Sequence, residues 1–373
     1  MNTRTISTRA IRRAAAALLV PVTLMAMPGL ATAAPAPTTT AADKAANWLA
    51  AELDANASVM PSSFPGATDW GLTADAILAL AADGQGHGTS AQASTTKLLD
   101  NARSYVTDAD FGAGTERYAG ALGKLTLVTL VQGRDPSNVA GLDLDAELRA
   151  RMTPTGGQAG RFVDLSSFGD FSNGLGQAFD VLALARTSGG VPAEAIAFLL
   201  GQQCPAGGFR ADYTTGDTCT ADSSADPDAT GLAVDALLAV PSTSTVNGSV
   251  AKAVGWMTAR QGGDGSFSGG PSNAPNANTT GLVAAALRAA GKGAAANRAA
   301  AWVSSVQLTA ANVGSGPAAA EVGAIAYDPS TRDAAIAGGI AASARDQFRR
   351  ATTQAVLALG LPGYGEIGST APV

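Results

Sequence analysis

Residues 261–267 read QGGDGSF, and this stretch decides how the whole chain is interpreted. It follows the apolar, helix-forming segment AKAVGWMTAR (251–260) and joins a glutamine to a glycine turn and an aromatic residue. A glutamine can bond the free carbonyls at a helix end, glycine accepts the left-handed conformation that ends a helix, and an aromatic side chain can fold back onto the core. The stretch therefore predicts the end of one helix and the turn that leads into the next.

The same arrangement recurs along the chain. An aromatic residue precedes a glutamine by five positions in three segments, and a further tryptophan occupies the same slot in KAANWLAAEL: the residues are Phe198 and Gln203, Trp256 and Gln261, Trp302 and Gln307, and Trp48. Glycine–aromatic turns occur at 160–162, 207–209 and 265–267. Because the aromatic recurs at fixed spacing, we interpret it as a buried anchor and not as a ligand platform.

Ala-rich segments with apolar residues at helical spacing alternate with these turns, which favours helices over strands. Pairs of such helices stacked in order form an open solenoid or a closed ring, and second helices that are apolar nearly all round favour the ring. The predicted fold is all-α, a two-layer α/α toroid of six hairpins, with 308–346 as one long irregular connection. The predicted pairs are 43–56 with 71–83, 90–107 with 115–132, 142–152 with 173–187, 192–203 with 228–240, 247–260 with 278–291, and 294–307 with 347–360.

The first 34 residues have the order of a secretory signal peptide: basic residues, an apolar run, and then the small residues ATA. A membrane anchor is the rival interpretation, but prolines and a glycine interrupt the apolar run. The predicted organisation is a cleaved signal peptide (1–34), an Ala/Pro/Thr linker (35–42), the toroid (43–361) and a flexible tail (362–373).

Charge and cysteine content limit the partners and the cellular compartment that we expect for the protein. Loss of the leader removes four arginines and no acidic residue, so the formal net charge changes from −6 to −10. Such an acidic chain has no basic face for nucleic acid, and no later segment is apolar for long enough to span a bilayer. Cys204 and Cys219 are expected to form one disulfide in an exported protein. A metal site is disfavoured because His87 is the only histidine, and we expect neither a metal nor a cofactor.

At QGGDGSF and at QCPAGGF (203–209) the chain resembles the repeats of squalene cyclases and prenyltransferase β subunits, best over 190–307. This toroid superfamily also contains cobalamin carriers and complement thioester domains, so the resemblance implies a fold and says little about function. Prenyltransferase zinc ligands and a thioester segment are absent from the sequence. We also do not expect the separate β domain that cobalamin carriers have.

Class II terpene cyclases carry an acidic motif that corresponds here to Asp226-Pro227-Asp228-Ala229-Thr230. This resemblance implies Asp228 as a general acid, with Asp226 beside it, although Ala229 replaces an acidic partner. The alternative for Asp228 is an N-cap, because an aspartate just before a helix accepts the free amides there. Asn278 and Asp69 hold similar places before other helices.

Parallel inner helices would bring their N-termini to one mouth, capped by Asp69, Asp170, Asp228 and Asn278. An acidic mouth of this kind suits a neutral or cationic ligand. Trp70 is the one tryptophan outside the repeated slot, and together with Asp69 it is the candidate ligand contact; a local packing role is the alternative.

Two classes of function remain. The first is a secreted, noncatalytic binding or interaction module with a small-molecule or cell-surface ligand, and this is the function we expect. The second is an enzyme, either a terpene cyclase/mutase-like protein using Asp228 or a toroid glycosidase or lyase. Glycosidases need paired carboxylates and usually aromatic platforms. The aromatics here are mostly assigned to structural slots, so the sequence disfavours that branch.

Overall fold

The computed structural model describes residues 40–64, 66–214 and 216–368, and the predicted signal peptide lies outside them. The all-α prediction is confirmed for these residues, apart from two small hairpins of two-residue strands. The helices are α1 (Ala41–Ala55), α2 (Trp70–Ala82), α3 (Thr89–Asp100), α4 (Ala102–Val106), α5 (Ala119–Val131), α6 (Leu144–Arg149), α7 (Gly174–Leu184), α8 (Ala193–Gly201), α9 (Pro227–Ala239), α10 (Ser244–Thr258), α11 (Ala277–Ala289), α12 (Gly293–Ser305), α13 (Ala310–Val313), α14 (Pro329–Gly338) and α15 (Arg345–Ala355). Strand β1 (Phe209–Arg210) pairs with β2 (Ala225–Asp226), and β3 (Ser268–Gly269) with β4 (Ala274–Pro275).

Two segments differ from the prediction. The helix expected over 90–107 is split into α3 and α4 at Asn101. The expected irregular connection over 308–346 contains helices, of which α14 is the longest. Asp328 caps α14 by accepting from the amide of Thr331, and Pro329 occupies its first position. An Asp-Pro start is a helix signal that the Gly- and Ala-rich composition concealed.

A closed ring of helices forms the inner layer of the described residues. Helices α2, α5, α7, α9, α11 and α15 contact one another in that order, and α15 contacts α2. The N-terminal halves of neighbouring helices meet: Gly120 of α5 lies against Gly176 of α7, and Arg350 of α15 is ion-paired with Asp69 at the start of α2. These inner helices therefore run in the same direction, with their N-termini at one end of the ring.

The outer helices cover this ring. Helices α3, α6, α8, α10 and α12 pack against α2, α5, α7, α9 and α11 respectively, so each outer helix contacts the inner helix that precedes it. Helix α1 packs against α15 and the 3-10 turn Val356–Leu359. The repeated aromatics Trp48, Phe198, Trp256 and Trp302 are all buried.

The repeat glutamines join consecutive outer helices. In each case Nε2 donates both to the carbonyl of the turn glycine and to a carbonyl in the N-terminal half of the next outer helix; we call this pair of contacts a glutamine bridge. The bridges run from Gln203 to Gly207 (2.9 Å) and Ser249 (2.8 Å), from Gln261 to Gly265 (3.0 Å) and Ala295 (2.8 Å), and from Gln307 to Gly323 (3.0 Å) and Ala41 (2.9 Å). The last bridge connects the end of the repeat series to the first helix.

A buried ionic cluster reinforces that closure. Glu52 of α1 accepts from both Arg345 and Arg349 of α15. Arg345 also pairs with Glu321 (2.9 Å), whose other oxygen accepts from Nε1 of Trp48 (2.8 Å). Every charged group of the cluster has a partner of opposite sign, which is the condition for burying charge without a large penalty.

A flexible tail is expected over 362–373, of which 369–373 lie outside the described residues. Tyr364 and Ile367 are buried, and the Tyr364 ring packs 5.3 Å from that of Phe179. Arg186 donates to the carbonyls of Tyr364 (3.0 Å) and Gly365 (3.1 Å). Residues 362–368 therefore cross the end of the ring where the inner helices finish.

Candidate functional site

A cavity of about 320 Å³ occupies the centre of the ring. This volume is at the lower end of the range of about 300–1,000 Å³ for small-molecule sites. Tyr364 forms its floor, and the N-terminal ends of the inner helices surround its mouth. The side chains and glycines that line it are Tyr105, Tyr118, Gly120, Ala121, Lys124, Asp164, Phe171, Ser172, Asn173, Leu175, Gly176, Phe179, Leu232, Leu282, Gln354 and Tyr364.

Helical register explains which residues face the cavity. Lys124, Phe179, Leu232 and Leu282 each stand six positions after the N-cap of their helix. Together with Gln354 of α15 they form one layer of the cavity wall. Residues four positions earlier occupy the same helix face one turn nearer the mouth. This mouth layer consists of Gly120, Leu175, Asp228, Asn278 and Arg350.

The wall at α2 and α5 is polar and buried. Nζ of Lys124 lies 2.7 Å from Oδ1 of Asp75 and 4.8 Å from the centre of the Phe179 ring. Burial acts to lower the pKa of Lys124, but the adjacent Asp75 carboxylate raises it overall. Burial raises the pKa of Tyr105 to about 12. Lys124 is thus a charged, paired group and Tyr105 a neutral hydroxyl at neutral pH.

Asp228 differs from the helix cap that the sequence suggested. The cap of α9 is Asp226, whose Oδ1 accepts from the amide of Ala229 (2.8 Å), and Asn276 holds the equivalent place in α11 by accepting from the amide of Thr279 (2.9 Å). Asp228 and Asn278 therefore lie two positions inside their helices. The proposed capping role of Asp170 is also wrong, because Asn173 caps α7 and Asp170 pairs with Arg161.

Asp228 as a residue is partly buried, and one oxygen of its freed carboxyl is fully buried. Its Oδ1 is shielded from solvent and has no hydrogen-bond partner within residues 40–64, 66–214 and 216–368. Burial raises the pKa of Asp228 to about 6; the neighbouring Thr279 side chain opposes this shift, and the charge of Asp226 adds to it. A carboxyl group with this pKa can hold or release a proton near neutral pH, as a general acid must.

The remaining mouth residues form a polar chain. Nδ2 of Asn278 donates to Oε1 of Gln354 (2.8 Å) and to the carbonyl of Arg350 (3.1 Å). The Arg350 guanidinium pairs with Asp69, whose other oxygen caps α2 by accepting from the amide of Leu72 (2.8 Å). Asp69 is therefore fully engaged in holding the mouth together.

Trp70, the candidate ligand contact, begins α2 and is partly buried against the hydrophobic core. The aromatic rings that line the cavity are instead those of Tyr105, Tyr118, Phe171, Phe179 and Tyr364. Cys204 and Cys219 form the predicted disulfide, which closes the loop before α9.

Three loops that precede inner helices carry exposed aromatics. Phe111 lies in the loop before α5, while Phe168 and Phe171 lie in the loop before α7; each side chain is 70% exposed. Phe64, in the loop before α2, is 75% exposed. The expectation that the aromatics mostly fill structural slots is therefore wrong for the phenylalanines of these loops.

Sequence reasoning missed most of the cavity. Lys124 and Asp75 are charged residues within otherwise apolar helical segments, and this was the available signal. Asp164 and Gln354 carried no such signal, because they come from a loop and from a polar helix. Among the described residues, no group of three or more His, Cys, Asp or Glu side chains could hold a metal ion. None of the helices described is long and apolar enough to cross a membrane.

Comparison with known proteins finds structures of similar fold but no related sequence of known family. No protein-family model and no curated protein matches the sequence. An unsaturated glucuronyl hydrolase from Bacillus sp. GL1, described as responsible for glycosaminoglycan degradation, matches with a TM-score of 0.56 at 12% identity over 88% of this chain and 98% of its own. A protein from Actinoplanes matches with a TM-score of 0.54 at 16% identity, and a glycosidase variant with 0.52 at 13%, each over 86% of this chain and 98% of its own.

These similarities show the fold class and correct one expectation. They support an α/α toroid, the general class that also contains terpenoid cyclases, although none of the three structures is named as a squalene cyclase or a prenyltransferase. The expectation of a noncatalytic binding module is contradicted, because the neighbours whose activity is named are glycoside hydrolases. At 12–16% sequence identity these matches show the fold, and they do not identify a substrate.

Proposed function

We propose that this chain is a glycosidase-type enzyme whose active site is the mouth of the central cavity, with Asp228 as the general acid. The observation that carries the proposal is the buried, unpartnered carboxyl oxygen of Asp228, one helical turn above the cavity-lining Leu232. A carboxyl group left unpaired in such a place is costly, and costly groups of this kind concentrate at functional sites.

Cleavage of a glycosidic bond needs a proton donor and a second carboxylate. Asp164, which lines the cavity, is the candidate for the second role: its oxygens accept from the amides of Ala119 (2.7 Å) and Phe171 (3.1 Å), which fix its orientation. In this assignment Asp228 gives its proton to the departing oxygen. Asp164 stabilises positive charge on the sugar ring and takes a proton from the attacking water.

The proposal extends to the setting and the architecture. The disulfide is typical of oxidising compartments and supports export, with 1–34 as the leader and a saccharide as the ligand. The cyclic order of the inner helices and the placement of the outer ones support the assignment of six hairpins to the toroid.

The test compares Asp228→Asn with Asp226→Asn, using 4-nitrophenyl glycosides of neutral hexoses, pentoses and N-acetylhexosamines. We expect Asp228→Asn to reduce kcat by about 100- to 10,000-fold, the range for loss of a general acid. The free energy of unfolding of the same variant should be about 1–2 kcal/mol higher at pH 7, because it no longer buries a charge. Asp226→Asn should change neither quantity much, since Asn caps a helix as well as Asp does.

Failure of the wild-type protein to hydrolyse any of these glycosides would contradict the proposal. Undiminished turnover by Asp228→Asn would contradict the assignment of the acid.

A further inference from the structure

Three exposed phenylalanines lie in the two loops that precede α5 and α7, and one of them lines the cavity. We call Phe111, Phe168 and Phe171 the aromatic patch. The rings of Phe111 and Phe168 meet edge to face with centroids 6.4 Å apart, while Phe171 is exposed and also lines the cavity. Large apolar side chains that are exposed as a group indicate a binding surface, whereas single exposed ones do not.

The loops that carry the patch are held in place by hydrogen bonds. The Glu116 carboxylate accepts from the hydroxyl of Ser166 (2.7 Å) and from the amide of Ser167 (2.8 Å), and so joins the loop before α5 to the loop before α7. Backbone bonds between Arg117 and Leu165 (2.9 and 2.8 Å) connect the same two loops. A surface fixed in this way loses little conformational entropy when it binds a ligand.

The charges around the cavity disfavour an anionic ligand. Lys124 is the basic side chain among the described residues that line the cavity, and it is ion-paired with Asp75. Two arginines outside the lining are also ion-paired: Arg350 with Asp69, and Arg161, which donates to the cavity-lining Ser172, with Asp170. Asp164 lines the cavity and adds a carboxylate that has no salt bridge to a basic group in this part of the chain. A uronate or sulfate would therefore meet carboxylates and no available cation.

We propose that the aromatic patch binds the pyranose rings of an uncharged glycan chain that extends out of the cavity. The C–H faces of a neutral sugar are apolar and pack against aromatic rings, while its hydroxyl groups stay in water. Phe171 links the two parts, since it belongs to the patch and also lines the cavity. This inference rests on the proposed function, and it assigns to that site a neutral polysaccharide or oligosaccharide as substrate.

The experiment uses affinity electrophoresis through gels containing one soluble polysaccharide each. The neutral probes are laminarin, xylan, galactomannan and amylopectin; the anionic probes are hyaluronan and polygalacturonate. The test variant is Phe111→Ala/Phe168→Ala, which leaves the cavity-lining Phe171 in place. The control is Leu238→Ala, an exposed apolar residue at the other end of α9.

We expect at least one neutral polysaccharide to retard the wild-type protein and the control equally. The double variant should bind it about tenfold more weakly, the effect of losing aromatic contacts, and should still hydrolyse small aryl glycosides at the wild-type rate. Retardation by an anionic polysaccharide alone, or by none of the probes, would overturn the inference. Wild-type binding by the double variant would also overturn the inference. A change of oligomeric state in light scattering, without a change in glycan binding, would overturn it as well.

The two proposals fail in different ways. If the protein hydrolyses no glycoside but binds a neutral glycan through the patch, the proposed function falls and the patch assignment stands. If the protein hydrolyses glycosides and the double variant hydrolyses long and short substrates as fast as the wild type does, only the patch assignment is wrong.

Discussion

Two turns in this molecule are held by the same hydrogen bonds, but different side chains make them. At 261–267, Gln261 of the outer helix donates to Gly265, and the amide of Phe267 donates to Thr280 of the inner helix (3.0 Å). At 152–162 the glutamine position is taken by Met152, which is bridged to Phe162 as Gln203 is bridged to Phe209.

In the second turn Gln177 of the inner helix performs both tasks. Its Oε1 accepts from the amide of Phe162 (3.0 Å), and its Nε2 donates to the carbonyl of Gly160 (2.9 Å). The repeat therefore conserves the contacts and not the residue. This is why the sequence pattern fades before residue 190 although the architecture continues.

The largest expected effect tests whether both turns depend on a glycine in close contact with the next helix. Gly160 and Gly265 have φ of +90° and +96°, and a Cβ there would lie 2.0 Å from the carbonyl oxygen of Glu194 and 2.3 Å from that of Arg298. Substitution of either by alanine should lower the free energy of unfolding by about 3 kcal/mol or more, through clash and backbone strain together.

Gly169→Ala provides the matched control for those glycines. Its φ is +110°, but nothing lies within 4 Å of the added Cβ. Only the strain remains, so we expect a loss of about 1–2 kcal/mol by urea denaturation. Equal losses for all three variants would show that the close approach contributes nothing.

A second experiment compares the two glutamines. Gln177→Ala removes both a buried acceptor and a buried donor, so we expect it to cost about 2–3 kcal/mol. Gln261→Ala removes the donor that serves Gly265 and Ala295 and should cost about 1–2 kcal/mol, with Thr280→Ala accounting for the remaining contact. If Gln177→Ala were the milder of the two, the proposed sharing of roles would be wrong.

The smallest expected effect concerns pH, and it has opposite signs in two regions. Burial raises the pKa of Asp235, which lies in α9 beside the C-terminal segment, to about 6. Since this folded pKa exceeds the unfolded value, stability should fall by about 1–2 kcal/mol as the pH rises from about 4 to 6. Asp235→Asn should flatten that part of the pH profile.

Glu116 supplies the contrasting case on the mouth side. Hydrogen bonds from Ser167 and Ser166 lower its pKa to about 2. The stability that it contributes should therefore be present above pH 4.5 and be lost as the pH falls toward 2, and Glu116→Gln should remove this dependence. Thermal unfolding between pH 2 and 7 measures both changes, and a wild-type curve without either slope would contradict both assignments.

The sequence by itself determined the helical repeat. Trp48, Trp256 and Trp302 recur at fixed spacing from a helix end, and such spacing can be read without coordinates because it depends on local geometry. The same local signals gave the disulfide between Cys204 and Cys219 and the general α/α class.

Only the tertiary structure decided the site. Whether Asp226 or Asp228 caps α9 depends on where the helix begins, within the two-residue uncertainty of any pattern, and this shift turns a cap into a buried, unpaired acid. The cavity collects one residue from each of several distant helices, together with Asp164 and Phe171 from a loop. Such groups become neighbours only when the ring closes, because no local interaction along the chain relates them.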